Sequence, residues 1–235
     1  MDSEITNALS NSALSMIGCG RDLGRALEML LESLAIDLSN PPEIYKKVLH
    51  LRHYNTAFAY RALGNIEDAR HHVEKASRCA EAEFGKHSRY LTITYRMYAD
   101  FSIREGNYDK AYDYANQALA IAQKASATNP WVSAALYYLG NIRILQARAA
   151  EAIEQLKQAL WITKLNEGAK SDAGESARVM NKLSQAYIAN GDIKKGSDMR
   201  KDADTIYSDL IKTGEYTASD DPVLKWDYLV CLNFR

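Results

Sequence analysis

The stretch YRALGNIEDA, residues 60–69, carries the pattern that decides the fold, and IREGNYDKA at residues 103–111 repeats it. Each stretch predicts a helix that ends at a glycine, a two-residue turn, and a second helix with an alanine five residues after that glycine. Further copies occupy residues 147–152 and 191–196, and a degraded copy upstream has Arg21 at its turn. This recurrence indicates a repeat protein built from helix pairs.

The spacing of the turns predicts the architecture. The turn residues Arg21, Gly64, Gly106, Ala147 and Gly191 follow one another at intervals of 43, 42, 41 and 44 residues. A fixed period of this size is typical of an all-α solenoid, here a right-handed superhelix of about five antiparallel helix pairs with a C-terminal capping helix. We expect first helices at about 3–17, 43–62, 88–105, 131–146 and 175–190, and second helices at about 22–38, 66–83, 108–124, 149–165 and 192–212. The repeat array is then 1–212, and 213–235 is a cap or tail.

Small residues recur at fixed distances from each turn, where they would let the two helices of a pair approach closely. They are Ala57, Ala99, Gly140 and Ser184 seven residues before a turn, and Ala26, Ala69, Ala111, Ala152 and Gly196 five residues after one. Apolar residues nine positions after the turns, including Leu30, Val73 and Leu156, supply the buried stripe of the second helices.

The composition excludes several classes of protein. The 235 residues carry a net charge of -1, so no overall field favours nucleic acid or an anionic membrane. No run of 18 apolar residues predicts a membrane span, and the acidic start at residues 1–4 is unlike a signal peptide. Three widely spaced cysteines are typical of reduced thiols, which favours a cytoplasmic location.

Metal and cofactor signals are weak. His50 and His53 lie one helical turn apart, and His71 and His72 are adjacent, but no HxxxH or CxxC pattern accompanies them. We interpret these histidines as packing residues and predict no metal, no cofactor and no catalytic residue. The glycine-rich segment 18–24 follows a helix and lacks a lysine followed by serine or threonine, so it is a turn and not a phosphate loop.

The pattern resembles the tetratricopeptide repeat, and its period of about 42 residues is similar to that of the kinesin-light-chain subgroup. The connector FGKHSRY at residues 84–90 resembles that subgroup's linker, although Ser88 stands where the subgroup has proline. The resemblance covers about residues 8–212. It implies that the first helices line a concave groove.

Counting back from each turn identifies the inward residues that this resemblance implies. They are Tyr54, Asn55, Phe58, Arg61, Arg96, Asp100, Arg104, Tyr137, Tyr138, Asn141, Arg178, Asn181, Lys182 and Gln185. Amides in such a set could bond a peptide backbone, arginines could hold a carboxylate, and rings could take side chains. The set therefore favours an extended peptide ligand over a solvated face that binds nothing.

Arg96, Asp100 and Arg104 follow one another at intervals of four residues along one helix. They form either a charge ladder that stiffens the helix or an anion site, because two arginines outnumber one aspartate. The acidic-tail clamp of chaperone-binding relatives would need asparagine at position 100 and lysine at position 134. Asp100 and Ala134 stand there instead, so chaperone tails are a poor match.

The expected function is a non-catalytic scaffold or adaptor that binds a peptide segment of a partner protein, one that is acidic with an aromatic or leucine anchor. Two alternatives stay open. The groove could hold a small molecule in an enzyme or a pathway accessory protein, or it could sense a peptide pheromone.

The end of the chain has two interpretations. Asp221-Pro222 predicts a helix over about 222–232, with Val223, Leu224, Tyr228, Leu229 and Leu232 covering the last repeat. However, LKWD at residues 224–227 is similar to the leucine-x-tryptophan-acidic peptides that the kinesin-light-chain groove accepts. The tail could then occupy its own groove or that of a second copy, which would allow self-association.

Overall fold

The computed structural model describes residues 2–168, 173–214, 216, 218–222 and 224–230. These residues form eleven helices and no strand. The first helices of the pairs are α1 (Asp2–Gly18), α3 (Pro42–Ala62), α5 (Leu91–Arg104), α7 (Pro130–Leu145) and α9 (Gly174–Ala189). The second helices are α2 (Leu23–Ser39), α4 (Ile66–Phe84), α6 (Tyr108–Ala125), α8 (Ala149–Asn166) and α10 (Ile193–Lys212), and a short α11 (Leu224–Asp227) follows. The predicted all-α fold of helix pairs is confirmed.

The chain divides into two compact units, Met1–Phe101 and Ser102–Arg235. In the first unit α1 packs on α2, α2 on α3, and α3 on α4. In the second unit α6 packs on α7, α7 on α8, α8 on α9, and α9 on α10. The division by repeats that the sequence predicts, with a boundary after residue 212, stays a prediction.

The turns between paired helices have the backbone conformation that glycine favours. Gly64, Gly106 and Gly191 have φ angles of 80°, 73° and 86°. Ala147 occupies the equivalent position with a φ of 58°, which is strained for a residue that has a Cβ atom. In each turn the following amide donates back to a carbonyl five residues earlier, as Asn65 does to Tyr60, and this bond closes the preceding helix.

The first turn differs from its sequence assignment. The amide of Arg21 donates to the carbonyl of Met16, so Arg21 takes the place that Asn65 has in the second repeat. The left-handed residues are its neighbours, Gly20 at a φ of 64° and Asp22 at 41°. The turn position of this degraded copy is therefore Gly20, with one residue more before α2 than in the later repeats.

Close helix contacts occur where the sequence has its small residues. A Cβ atom at Gly140 of α7 would lie 2.5 Å from Cγ of Leu156 on α8. A Cβ atom at Gly196 of α10 would lie 2.5 Å from Cγ1 of Ile188 on α9. The predicted reason for small residues at these positions is confirmed, since any side chain there would force the paired helices apart.

A buried polar network joins α1, α2 and α3 in the first unit. Nε of Arg52 donates to Asp37 at 2.5 Å, and one terminal nitrogen donates to Ser10 at 3.0 Å. The other terminal nitrogen donates to Thr6 at 3.1 Å and to Asn7 at 2.7 Å. Four hydrogen bonds therefore compensate the burial of this guanidinium.

The tail differs from the helix that the sequence predicts. Helix α11 ends at Asp227, residues 228–230 follow in turn and bend conformations, and Val223 and Leu232 lie outside the described residues. Trp226, Leu229 and Val230 are buried, in one apolar cluster with Met180 and Leu210. A Cβ atom at Gly174 would collide with the carbonyl oxygen of Leu229, so the first residue of α9 has to be a glycine for the tail to pack there.

Across the described ranges, no helix combines the length and the apolar character that crossing a membrane requires.

Candidate functional site

In the first unit the predicted groove residues of α3 form one contact group with α5. The guanidinium of Arg61 lies 4.5 Å from the ring centre of Phe58 and 3.3 Å from a carboxylate oxygen of Asp100. The rings of Tyr54 and Phe58 are 6.4 Å apart and both are buried. Only the polar ends of Arg61 and Asp100, each less than a fifth exposed, and the half-buried Asn55 reach the surface of this group.

The arginine ladder of α5 divides by depth. Arg96 is among the largest fully buried side chains of the protein, whereas Arg104 is exposed. A buried guanidinium cannot meet a ligand without a rearrangement, so Arg96 has a structural role in this conformation. Asp100 lies between the two and pairs with Arg61. Of the predicted set, Tyr54, Phe58, Arg61 and Asp100 are therefore connected by contacts, and their role in binding stays a prediction.

In the second unit the tail meets the predicted groove. Arg178 of α9 is 1% exposed, and its guanidinium lies 4.3 Å from the ring centre of Tyr137 on α7. Its Nη1 atom donates to a carboxylate oxygen of Asp227 at 3.2 Å. Glu175, one turn earlier on α9, is 4.0 Å away. A carboxylate from an adjoining segment thus occupies the acid-binding position that the sequence predicts for an arginine in the groove.

The electrostatics of this position follow from its burial. Desolvation raises the pKa of Tyr137 above its usual range, so its phenol stays neutral. Desolvation lowers the pKa of Lys182, and the nearby charge of Arg178 lowers it further, while Asp227 opposes both effects. Asp227 therefore stabilises the positive charges of Arg178 and Lys182. Without Asp227, these two cations would lie near each other in a desolvated environment.

A second group of contacts holds Trp226. Its indole lies 5.6 Å from the ring of Tyr207 on α10, and the guanidinium of Arg200 lies 5.4 Å from the indole ring. Arg200 also donates to the side chain of Asn181 at 2.8 Å, so a predicted groove residue orients it. We call the surface formed by Tyr137, Arg178, Arg200 and Tyr207 the tail seat.

The remaining predicted residues of the second unit differ in accessibility. Tyr138 and Asn181 are buried, while Asn141, Lys182 and Gln185 are half-buried. Arg200 and Tyr207 belong to the seat, but counting along the first helices could not find them because they lie on α10. Their signal in the sequence is indirect, since an arginine and a tyrosine seven residues apart share one helix face.

Residues 90–164 match the family model of the tetratricopeptide repeat. This segment therefore has the sequence pattern of tetratricopeptide repeats. The matched segment extends from just before α5 to within α8, so it includes the two turns at Gly106 and Ala147. No match was found among curated protein sequences.

Solved structures share this fold over nearly the whole chain. A Podosopora anserina protein with nearly identical TPR-like repeats of the kinesin light chain kind is 18% identical, with a TM-score of 0.64 over 92% of this chain and 99% of that one. BtubC (BKLC) from P. vanneervenii is 16% identical, with a TM-score of 0.70 over 93% and 91%. Pseudomonas aeruginosa pilF is 16% identical, with a TM-score of 0.53 over 96% of each chain. The predicted resemblance to tetratricopeptide-repeat proteins is supported by residues 90–164, and at these identities the structures show a shared fold.

Proposed function

We propose that this tetratricopeptide-repeat protein is a non-catalytic scaffold that binds a peptide segment of a partner protein on the first helices of its second unit. The fold itself is one that serves as a protein-interaction scaffold. The peptide is acidic and carries an aromatic or leucine anchor. The observation that carries the proposal is the contact of Asp227 with the buried Arg178 beneath Tyr137.

The tail supports this ligand class because it is itself such a peptide. The indole of Trp226 contacts a cation and a phenol ring, and the next residue, Asp227, supplies a carboxylate to a buried guanidinium. Charge-assisted hydrogen bonds of this kind are shorter and stronger than neutral ones, and buried aromatic side chains dominate peptide affinity. A partner segment with an aromatic residue followed by an acid would make the same contacts.

The same contacts give the tail two roles in this proposal. Burial of Trp226, Leu229 and Val230 against Met180 and Leu210 covers the end of the last helix pair, which is the action of a cap. The carboxylate of Asp227 meanwhile occupies the position beside Arg178 at which a carboxylate of the partner peptide would bind. Partner binding then competes with the tail, and a tail that leaves its seat could fill the seat of a second copy.

A competition experiment tests the proposal on the full chain. The probe is a labelled synthetic peptide with the sequence of residues 221–230, and fluorescence anisotropy measures its affinity. Trp226→Ala with Asp227→Lys in the protein removes the tail's own anchor and reverses its charge while leaving Arg178 and Tyr137 intact. We expect this double variant to bind the probe at least tenfold more tightly than the wild type, because the seat is vacated.

The controls separate recognition from loss of structure. Asp220→Lys changes an exposed acid of the same tail and should leave the affinity at the wild-type value. Adding Arg178→Gln to the double variant should abolish its gain, with the helical content checked by circular dichroism. If the double variant melts at a lower temperature but gains no affinity, the tail is only a cap and peptide recognition at Arg178 is refuted.

A further inference from the structure

One acidic side chain lies beside the tail seat and also contacts the tail. Asp204 stands on α10 between Arg200 and Tyr207, about one helical turn from each. Nε of Arg200 donates to Oδ2 of Asp204 at 2.9 Å. Oδ1 of the same carboxylate lies 3.3 Å from Nζ of Lys225, the residue that precedes Trp226. Arg200 therefore orients this carboxylate with one oxygen, and the other oxygen accepts from the base of the tail.

The contacts of Lys225 hold it more closely than an ordinary surface lysine. Its side chain is 19% exposed, and its ammonium lies 4.8 Å from the ring centre of Tyr207 and 4.7 Å from that of Trp226. Aromatic faces attract a cation and repel an anion. A fully solvated ion pair discriminates weakly between charges, but here the rings shield the ammonium from water on the side away from Asp204. The sign of the charge at this position therefore affects binding.

The charges of the tail alternate around its aromatic residue. Lys225 faces Asp204, and Asp227 faces Arg178 at 3.2 Å, with Trp226 between them. We propose that Asp204 is a specificity-determining residue, which selects partner peptides with a basic residue immediately before the aromatic anchor and an acid immediately after it. This inference rests on the function proposed above, which specifies the anchor and the acid but not the base.

The selectivity of Asp204 opposes a general attraction for acidic peptides. A peptide with acids on both sides of its anchor is more strongly attracted by Arg178 and Arg200, but its first acid would approach the carboxylate of Asp204. A peptide with the acid first and the base second has the same net charge, yet it sets like charges together at both positions. Its base would lie against Arg178, which is 1% exposed and poorly screened by water. Asp204 and Arg178 together therefore select the order of the charges.

Three labelled peptides test this order by fluorescence anisotropy. The first has the sequence of residues 221–230, the second carries Lys225→Glu, and the third has Lys225 and Asp227 exchanged. The protein is the full-length double variant described above with Lys225→Ala added, so that its own lysine no longer competes for Asp204. We expect the glutamate peptide to bind more weakly than the first by about threefold or more, and the exchanged peptide by about tenfold or more.

Two substitutions in the protein assign the preference to one residue. Asp204→Asn keeps the shape of the side chain and removes its charge, so the first peptide and the glutamate peptide should then bind within about twofold of each other. Asp209→Asn is the matched control, because Asp209 is an exposed acid of the same helix that pairs with Lys212 at 3.3 Å. It should keep the full preference. The ratio of two affinities stays informative if a variant is partly unfolded, since both peptides meet the same folded fraction.

Each outcome bears on a different part of the inference. Equal binding of the first peptide and the glutamate peptide, or tighter binding of the glutamate peptide, would overturn the selectivity of Asp204 while leaving recognition at Arg178 intact. A preference that survives Asp204→Asn would overturn the assignment to this residue. If none of the three peptides binds, the function proposed above fails, and this inference fails with it.

Discussion

The buried histidine at position 50 should make the stability of the first unit depend on pH in a predictable way. His50 is 2% exposed and its ring contacts two others, 5.1 Å from the centre of Phe84 and 4.2 Å from that of Tyr90. Neither of its ring nitrogens has a hydrogen-bond partner among the described residues. Burial alone therefore lowers its pKa, from 6.5 to about 4.

The sign and size of the effect follow from this pKa difference. Between pH 6.5 and pH 4 the unfolded chain binds a proton at His50 that the folded chain excludes, so acid favours unfolding. Protonation of His50 therefore does not reduce the stability of the folded state above about pH 6.5, and it reduces that stability progressively as the pH falls towards 4. At pH 5 the loss relative to pH 7.5 amounts to about 2 kcal/mol for this residue, since each unit of pKa difference corresponds to about 1.4 kcal/mol.

The variant His50→Phe isolates this contribution, because phenylalanine fills a similar space and has no ionisable group. We expect it to be at least as stable as the wild type at pH 7.5, since two unpartnered nitrogens no longer have to be buried. Urea unfolding at several pH values should then show the variant gaining about 2 kcal/mol over the wild type between pH 7.5 and pH 5. Parallel stability curves for the two proteins would refute the assignment of a neutral, desolvated His50.

Two further predictions concern the backbone and the buried charge. Gly106→Val should lower the unfolding free energy by about 1–3 kcal/mol through the positive φ of this residue alone, because a Cβ atom there meets no neighbour. Ala147→Gly at the equivalent turn should raise the unfolding free energy by up to about 1 kcal/mol. Thermal melts in which Gly106→Val is not the less stable variant, or Ala147→Gly not the more stable one, would contradict the turn assignment. Arg52→Met should lower the unfolding free energy by about 3–5 kcal/mol, because Asp37 is left buried without its partner. Adding Asp37→Leu should recover most of that loss in denaturant titrations. No recovery would mean that Arg52 acts mainly through its bonds to Ser10, Thr6 and Asn7.

The repeat could be predicted from the sequence because its determinants are local. A glycine at a left-handed turn and a small residue at a helix crossing recur at the same positions in most copies, as Gly64 and Gly140 show. The first turn was assigned one residue too late, to Arg21, because the sequence places Ala26 five residues after it. The turn glycine is Gly20, and the additional left-handed residue Asp22 separates it from α2.

The depth of the groove residues could not be predicted in the same way. Counting back from a turn gives the direction of a side chain on its helix, but burial depends on what the neighbouring helix places against it. Tyr54, Phe58, Arg96 and Arg178 were predicted to line the groove, and their side chains are buried. The tail helix was predicted too long for a similar reason, since the chain leaves the helix after Asp227 to bring Leu229 against Gly174.

The network around Arg52 has a consequence for how the first three helices align. Apolar helix surfaces tolerate a slide of one turn, because leucine and alanine stripes offer similar contacts at several offsets. The guanidinium of Arg52 has to meet Asp37, Ser10 and Thr6 on two other helices at once, and directional bonds allow this at one offset only. A slide by one turn would leave the buried charge of Arg52 without its partners, so this arginine fixes the register of α1, α2 and α3.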